Sequence, residues 1–285
     1  MRKSLITIAV LGALTAPSFV FAADAAPAPA PDLTVAYNVG LYSQYIFRGL
    51  TQTNRKPALQ GGVDLTHSSG FYLGAWGSNV NWLEDSTLYS SGSLELDIYG
   101  GYRYNFGDSG LGIDIGALQY YYPGTKAYST DGYTKPTANT TELYAALNYK
   151  WLQAKISGVV SEHAWGVGKW GSTGEDARGT YYAELNANPP IGEWLGGGML
   201  SGVTGIIHIA RQEFQGNKAN TNQAYTNEQA SYTDYKLGIQ KSFENGVNLG
   251  GYWTKANTDD IAWKYASTGK NIGESTGTVF IQKTF

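Results

Sequence analysis

The chain contains no cysteine in its 285 residues, which excludes disulfide staples, thiolate metal sites and cysteine nucleophiles. Beyond the first two dozen positions no uninterrupted apolar run reaches about 18 residues, so helical membrane spans are excluded. Charge of either sign is sparse: Lys and Arg total 20 against 23 Asp and Glu, for a net charge of −3. No basic block is present that would hold nucleic acid. Histidine is limited to His67, His163 and His208. There is no GxSxG element, and no His/Asp/Glu cluster has metal-ligand spacing. Neither a metal nor a cofactor is expected, and the chain is not expected to be an enzyme. The lipid-modifying barrel enzyme, the one enzymatic alternative with a histidine to build on, would need His208, and Ser201 is its nearest serine in sequence.

What is present points outward from the cell. MRKSLITIAVLGALTAPSFVFA places Arg2 and Lys3 before a short apolar stretch broken by Gly12 and Pro17, then closes on Val20-Phe21-Ala22. That is the layout of a cleaved secretory signal, expected over residues 1–22. A Pro/Ala spacer is expected over 23–32 and the folded unit over 33–285. Glycine numbers 37 and tyrosine 22, beside 8 tryptophans. Glycine is thus nearly double its usual share of about 7 %, and Tyr and Trp favour places where apolar and wet phases meet.

The pattern along the chain has period two. In GSLELDIYGGYRYNF (92–106) Leu94, Leu96, Ile98, Tyr102, Tyr104 and Phe106 share one face, while Ser93, Glu95, Asp97, Tyr99, Arg103 and Asn105 share the other, as successive strand side chains must. The same alternation recurs over 33–47, 58–67, 70–82, 110–118, 141–151, 152–160, 178–187, 199–211, 231–243, 247–257 and 276–285. Twelve strands follow, joined by links that alternate in length. Short ones are expected at 67–70, 106–110, near Lys150, at 188–194 and at 244–246; long polar ones at 48–57, 83–91, 123–139, 164–177, 212–230 and 258–275. A soluble sandwich has no reason to keep every second link long, whereas an outer-membrane barrel has short periplasmic turns and long extracellular loops. The expected fold is therefore all-β: a transmembrane antiparallel barrel of about twelve strands.

Strand phase assigns the apolar faces to outer-membrane lipid and leaves seven acids and five bases as candidates to line the lumen. The acids are Asp64, Glu95, Asp97, Asp114, Glu142, Glu184 and Asp234; the bases are Arg48, Arg103, Lys150, Lys155 and Lys236. Such residues set the field of an aqueous path for small hydrophilic solutes or ions, or pair with one another as a polar plug. The last strand ends TVFIQKTF, with Val279, Ile281 and Phe285 on the outward phase. Phe285 is similar to the terminal aromatic by which the barrel assembly machinery recognises its clients, although Lys283 interrupts the outward face. The loops 122–140 and 217–234 are rich in Tyr, Asn, Thr and Gly, a composition of solvated loops that also suits binding through aromatics.

The stretch SQYIFRGLTQTNRKPALQGGVDLTHSSGFYLGAWGSNVNW (43–82) resembles the amino-terminal signature of the TorF-type porins of proteobacteria. Its marks are Phe47-Arg48-Gly49 after an aromatic strand, then Pro57 to Gly62, then Ser69-Gly70-Phe71-Tyr72 and Gly77-Ser78-Asn79-Val80. The resemblance implies an outer-membrane barrel acting as a porin, and supplies no substrate and no catalytic residue. Phase within this stretch places Phe47 on the lipid side near the outer rim and Arg48 inward at the mouth, with Gly49 releasing the chain into the first loop. A plugged barrel serving structure or surface interaction is the alternative.

Overall fold

The computed structural model describes residues 32–128, 135–168, 176–216 and 225–285. The signal expected over 1–22, and the spacer up to residue 31, lie outside the described residues. Twelve strands form the wall: β1 Leu33–Tyr42, β2 Ala58–His67, β3 Phe71–Asn79, β4 Leu94–Asn105, β5 Leu111–Tyr121, β6 Thr140–Tyr149, β7 Leu152–Val159, β8 Tyr181–Ala187, β9 Val203–Glu213, β10 Tyr232–Ser242, β11 Val247–Ala256 and β12 Thr276–Thr284. Each pairs antiparallel with its neighbour in the chain, and β1 pairs with both β2 and β12, closing the sheet. Closure leaves no unpaired edge, which an apolar solvent would penalise. The last residue is drawn into the seam: the Phe285 amide donates to Tyr37 O at 2.9 Å.

The alternation in the sequence is the alternation in space. Along β1 the side chains of Leu33, Val35, Tyr37, Val39 and Leu41 are exposed on the outside while Ala36, Asn38 and Tyr42 are buried inside. An apolar belt outside and a polar interior is the inverse of a soluble protein, and is stable where the surrounding medium is lipid. Among the described residues no helix is long and apolar enough to cross a membrane.

Glycine and tyrosine work together inside. A Cβ on Gly74 would lie 2.4 Å from the Tyr99 ring, and one on Gly116 would lie 2.5 Å from the Tyr144 hydroxyl. These inward glycines leave the room that tyrosine rings fill. Tyr42, Tyr72, Tyr99, Tyr120 and Tyr182 are all buried within the barrel, so much of the tyrosine content fills the lumen, in keeping with the inward phase of Tyr99 on β4.

Two links differ from expectation. The first strand stops at Tyr42, the last residue paired to β2 and β12. The chain then bends, and Ile46–Phe47 pairs with Leu50–Thr51 as a separate two-stranded hairpin whose four residues are all buried. Arg48 and Gly49 form its two-residue turn with φ of +46° and +78°, the geometry of a type I′ hairpin. Tyr45 and Phe47 therefore face the interior and not lipid. Period-two phase fails here because an apolar side chain buried in a lumen carries the same signal as one facing lipid. The link between β8 and β9 runs from 188 to 202, not 188 to 194, and carries a short helix α1 (Ile191–Trp194). Its Trp194, Leu195 and Met199 are exposed at the short-turn end.

Candidate lumen site

The hairpin 46–51 sets Arg48 in the middle of the interior. Its Nη1 and Nη2 donate to Glu142 Oε1 at 3.0 Å and Oε2 at 2.7 Å, a bidentate pair, and Nη1 also donates to Gln212 Oε1 at 2.9 Å. The guanidinium carbon stands 4.2 Å from the Tyr182 ring centre and 5.0 Å from those of Phe47 and Trp165. Five chain segments thus converge on one cation: the hairpin, β6, β8, β9 and the loop that carries Trp165. A planar, permanently charged fork suits both the carboxylate and the ring faces, and lysine would not replace it. The pair is almost wholly withdrawn from solvent, with side-chain exposures of 6 % for Arg48 and 1 % for Glu142.

Around it the outer half of the interior is acidic and packed. Glu95 accepts from Tyr45 OH at 2.8 Å, and Tyr120 OH donates to Glu142 Oε2 at 3.1 Å. Asp97 is buried, with Oδ1 lacking a hydrogen-bond partner. Gly49 abuts β10 so closely that a Cβ there would sit 2.5 Å from Asp234 Cβ.

The next network is centred on His208 of β9. Its Nε2 lies 2.9 Å from Tyr182 OH and 3.0 Å from Asp234 Oδ1, and its Nδ1 lies 2.6 Å from Asn186 Oδ1. Asn186 also donates to Glu184 Oε2 at 2.9 Å, and Lys155 Nζ approaches Glu184 Oε1 at 3.9 Å. No serine hydroxyl bonds to His208 among the described residues, and Ser201 lies in the β8–β9 link at the short-turn end. Among the described residues the hydroxyl that meets His208 is that of Tyr182, and the two carboxylates Asp234 and Glu184 flank the ring.

Nearer the short-turn end, Arg103 Nε donates to Asp114 Oδ2 at 2.8 Å and stacks 4.0 Å from the Tyr72 ring. Tyr72 donates to Asp114 Oδ1 at 2.6 Å and also bonds the Tyr144 hydroxyl; Tyr99 donates to Asp64 Oδ1 at 2.6 Å. Lys236 Nζ lies 4.9 Å from the Tyr252 ring.

Of the candidate lumen residues, Asp64, Glu95, Asp97, Arg103, Asp114, Glu142, Lys155, Glu184, Asp234 and Lys236 all lie on inward positions of the wall, and Arg48 reaches the interior on the hairpin. Lys150 does not. It occupies the β6–β7 turn, exposed and with φ of +53°; the Tyr149↔Leu152 pair closes the ladder around it, so strand phase no longer applies. Tyr45, Tyr182 and Gln212 belong to the site but were missed. They are neutral, and Gln212 was read as the start of a loop although it lies within β9. Inward phase was the only signal for Tyr182 and Gln212, and nothing in the sequence marked Tyr45 as turning inward.

Among solved structures the fold is similar to the KdgM porin in complex with disordered oligogalacturonate, at 9 % identity over 88 % of this chain and 98 % of that one, with a TM-score of 0.45. It is similar to the NanC porin at 10 % identity over 88 % and 99 % of the two chains, TM-score 0.45. It also matches LpxR from Salmonella typhimurium at 10 % identity over 88 % and 99 %, TM-score 0.39. These are likenesses of fold alone. No curated protein sequence matches the chain. Residues 25–285 match the family described as "Bacterial protein of unknown function (Gcw_chp)", and the chain belongs to that family.

Proposed function

We propose that this Gcw_chp family member is an outer-membrane channel for small hydrophilic solutes or ions, closed in the present conformation by the hairpin 46–51. One observation carries the reading. The closure at the level of Arg48 is made by a loop segment whose tip, Phe47 to Leu50, is held by side-chain contacts, whereas the wall around it is a continuous hydrogen-bonded sheet. Below the tip the interior stays charged, and Arg103, Asp114, Lys155 and Lys236 keep part of their surface. A polar lumen stoppered by a segment that is not part of the wall's sheet, anchored at its base by Thr51 N–H to Ile272 O, suits a gated channel. In this reading the inward charges Asp64, Glu95, Asp97, Arg103, Asp114, Glu142, Lys155, Glu184, Asp234 and Lys236 set the field of the path, and Phe285 serves as the terminal assembly signal.

A second reading, a permanently filled barrel that serves structure or surface interaction, draws on the near-complete burial of Arg48, Glu95, Asp97, Glu142 and Asp234. Planar-bilayer recordings separate the two. Wild type should show rare openings, and a variant with 46–51 replaced by a Gly-Ser linker should conduct in discrete steps. If the linker variant migrates as a folded barrel and never conducts, the channel reading is lost.

A further inference from the structure

Directly against the hairpin, at the long-loop end, lies a cavity of about 220 Å³. Its walls are unusually aromatic: Phe47, Trp82, Trp165, Phe214, Trp263 and Tyr265 all line it. The rings are fixed against one another, with Trp165 and Phe214 centres 6.4 Å apart and Phe214 and Trp263 centres 5.8 Å apart. An apolar cavity of about 150 Å³ accepts one benzene molecule, so this one has room for a single six-membered ring with a small substituent.

Its polar endowment is lopsided. Among the described residues no carboxylate lines it, and Lys135 is its one charged lining residue. Lys135 Nζ donates to Thr87 O at 2.6 Å and to Thr87 Oγ1 at 2.9 Å; among the described residues no acid pairs with it, and an ammonium has three protons to give. Burial pulls its ammonium below the ordinary lysine value, as it does for a cation without a counter-charge. The indole N–H groups of Trp82 and Trp165 are also buried without an acceptor. The lining amides are occupied: Gln52 Nε2 donates to Leu50 O at 3.0 Å, and Gln212 Nε2 to Tyr181 O at 3.0 Å. Aromatic walls call for a flat apolar body, and surplus donors with one unpaired cation call for an anionic acceptor.

We propose that this cavity binds a small aromatic carboxylate, its ring among the tryptophans and its carboxylate on Lys135. The site exists with the hairpin docked, since Phe47 and Leu50 line it beside Gln212 of β9 and Tyr232 of β10, and the proposal does not depend on whether the barrel ever conducts. Isothermal calorimetry on the full chain in detergent, with benzoate as the probe, tests it. Benzoate should bind saturably, and neutral benzamide should bind on the order of tenfold or more weakly, the worth of one charge-assisted hydrogen bond. Lys135→Gln should lose the preference for benzoate over benzamide, and Lys135→Arg should keep it. Trp263→Ala should weaken both probes, with heat-modifiable gel mobility reporting that each variant remains a folded barrel. Equal binding of benzoate and benzamide to wild type would overturn the anion assignment. Saturable binding of glucuronate without binding of benzoate would overturn the aromatic one, and binding of none of the three would overturn the site.

Discussion

Arg48→Ala removes the bidentate pair with Glu142, the bond to Gln212 and the stacking on Tyr182, Phe47 and Trp165 in a single step. The decisive loss is the orphaned carboxylate. Because the two side chains are 6 % and 1 % exposed, water offers Glu142 little compensation. Breaking a buried pair from one side costs about 3–5 kcal/mol. That cost falls on the docked hairpin, since the Glu142 backbone stays in the β5–β6–β7 ladder whether or not the hairpin is present. At 1.4 kcal/mol per decade the undocked fraction should rise by roughly two to four orders of magnitude. A chain without cysteine gives a clean reporter: Ile46→Cys, at a buried hairpin position, should react slowly with an impermeant maleimide in the parent and much faster beside Arg48→Ala. Bilayer current should rise in parallel. The double substitution Arg48→Met with Glu142→Leu removes both charges, and replacing a buried pair by apolar groups of similar size is neutral or favourable. It should return the labelling rate toward that of the parent. Unchanged labelling and current in a folded Arg48→Ala barrel would refute the reasoning, as would a double variant as open as the single one.

The remaining predictions concern the turn, the selectivity, the outer face and the last long loop. Gly49→Ala puts a Cβ 2.5 Å from Asp234 Cβ on a backbone at φ +78°, which costs about 1–3 kcal/mol from packing alone; it should raise maleimide labelling of Ile46→Cys, and no change would mean the turn is less crowded than described. Channels opened by removal of the hairpin should favour cations, because Glu95, Asp97, Glu142 and Asp234 then lose Arg48; a reversal potential showing anion preference would contradict this. Leu237→Arg places a cation on an outward side chain that is 59 % exposed at the centre of β10, and should cost about 2–4 kcal/mol of folding in lipid vesicles by urea titration; a cost near zero would argue against lipid on that face. Asp260 is held below the ordinary carboxylate value by the Asn271 amide at 2.8 Å. Its folded value being depressed, its contribution to the last long loop is complete above the unfolded value of about 3.9 and is lost as pH falls through the folded value. Carboxyl NMR should therefore find its midpoint below about 3.9, shifting up in Asn271→Ala, and a midpoint already at the unfolded value would remove the claim.

Most of the wall was legible because a transmembrane barrel writes its fold as period-two hydrophobicity with unequal links. Glu95 and Asp97 between Leu94, Leu96 and Ile98 could face only inward. Illegibility began where a chain segment left the ladder. Tyr45-Ile46-Phe47 continued the apolar texture of β1 without continuing its hydrogen bonds, and the two-residue turn at Arg48-Gly49 carried no Asn-Gly or Asp-Gly signature. The 188–202 link was misjudged for a related reason: Gly196-Gly197-Gly198 and Met199-Leu200 looked like a turn followed by a strand, whereas the three glycines adopt positive φ and the ladder resumes at Val203. Lys150 shows the same limit at single-residue scale, since phase is meaningful only between paired strands. The cavity beside the hairpin was out of reach for another reason: its lining residues come from loops and strand ends far apart in the chain, and only the closed barrel brings them together.

The distribution of charge along the wall explains why the hairpin carries an arginine. On the halves of the strands nearest the long loops, the inward side chains include Glu95 and Asp97 of β4, Glu142 of β6 and Asp234 of β10, and no lysine or arginine. The wall's own bases, Arg103, Lys155 and Lys236, stand at mid-height or nearer the short turns, where Arg103 meets Asp114 and Lys155 meets Glu184. The outer half is therefore left with buried acid and no counter-charge from the sheet. Such a layer is unfavourable dry, because uncompensated buried carboxylates repel and are poorly solvated. Two remedies exist: admit water and mobile cations, or bring in a cation from elsewhere. The hairpin is the second remedy, delivering one guanidinium to Glu142 while its apolar residues Ile46, Phe47 and Leu50 displace water around it. In the proposed channel, withdrawal of the hairpin would restore the first remedy, since the same acids would become the lining of a wet, cation-attracting path. On that proposal one charge pattern would serve both the closed and the open arrangement, with the free energy separating them set by how well Arg48 replaces the water and ions it excludes.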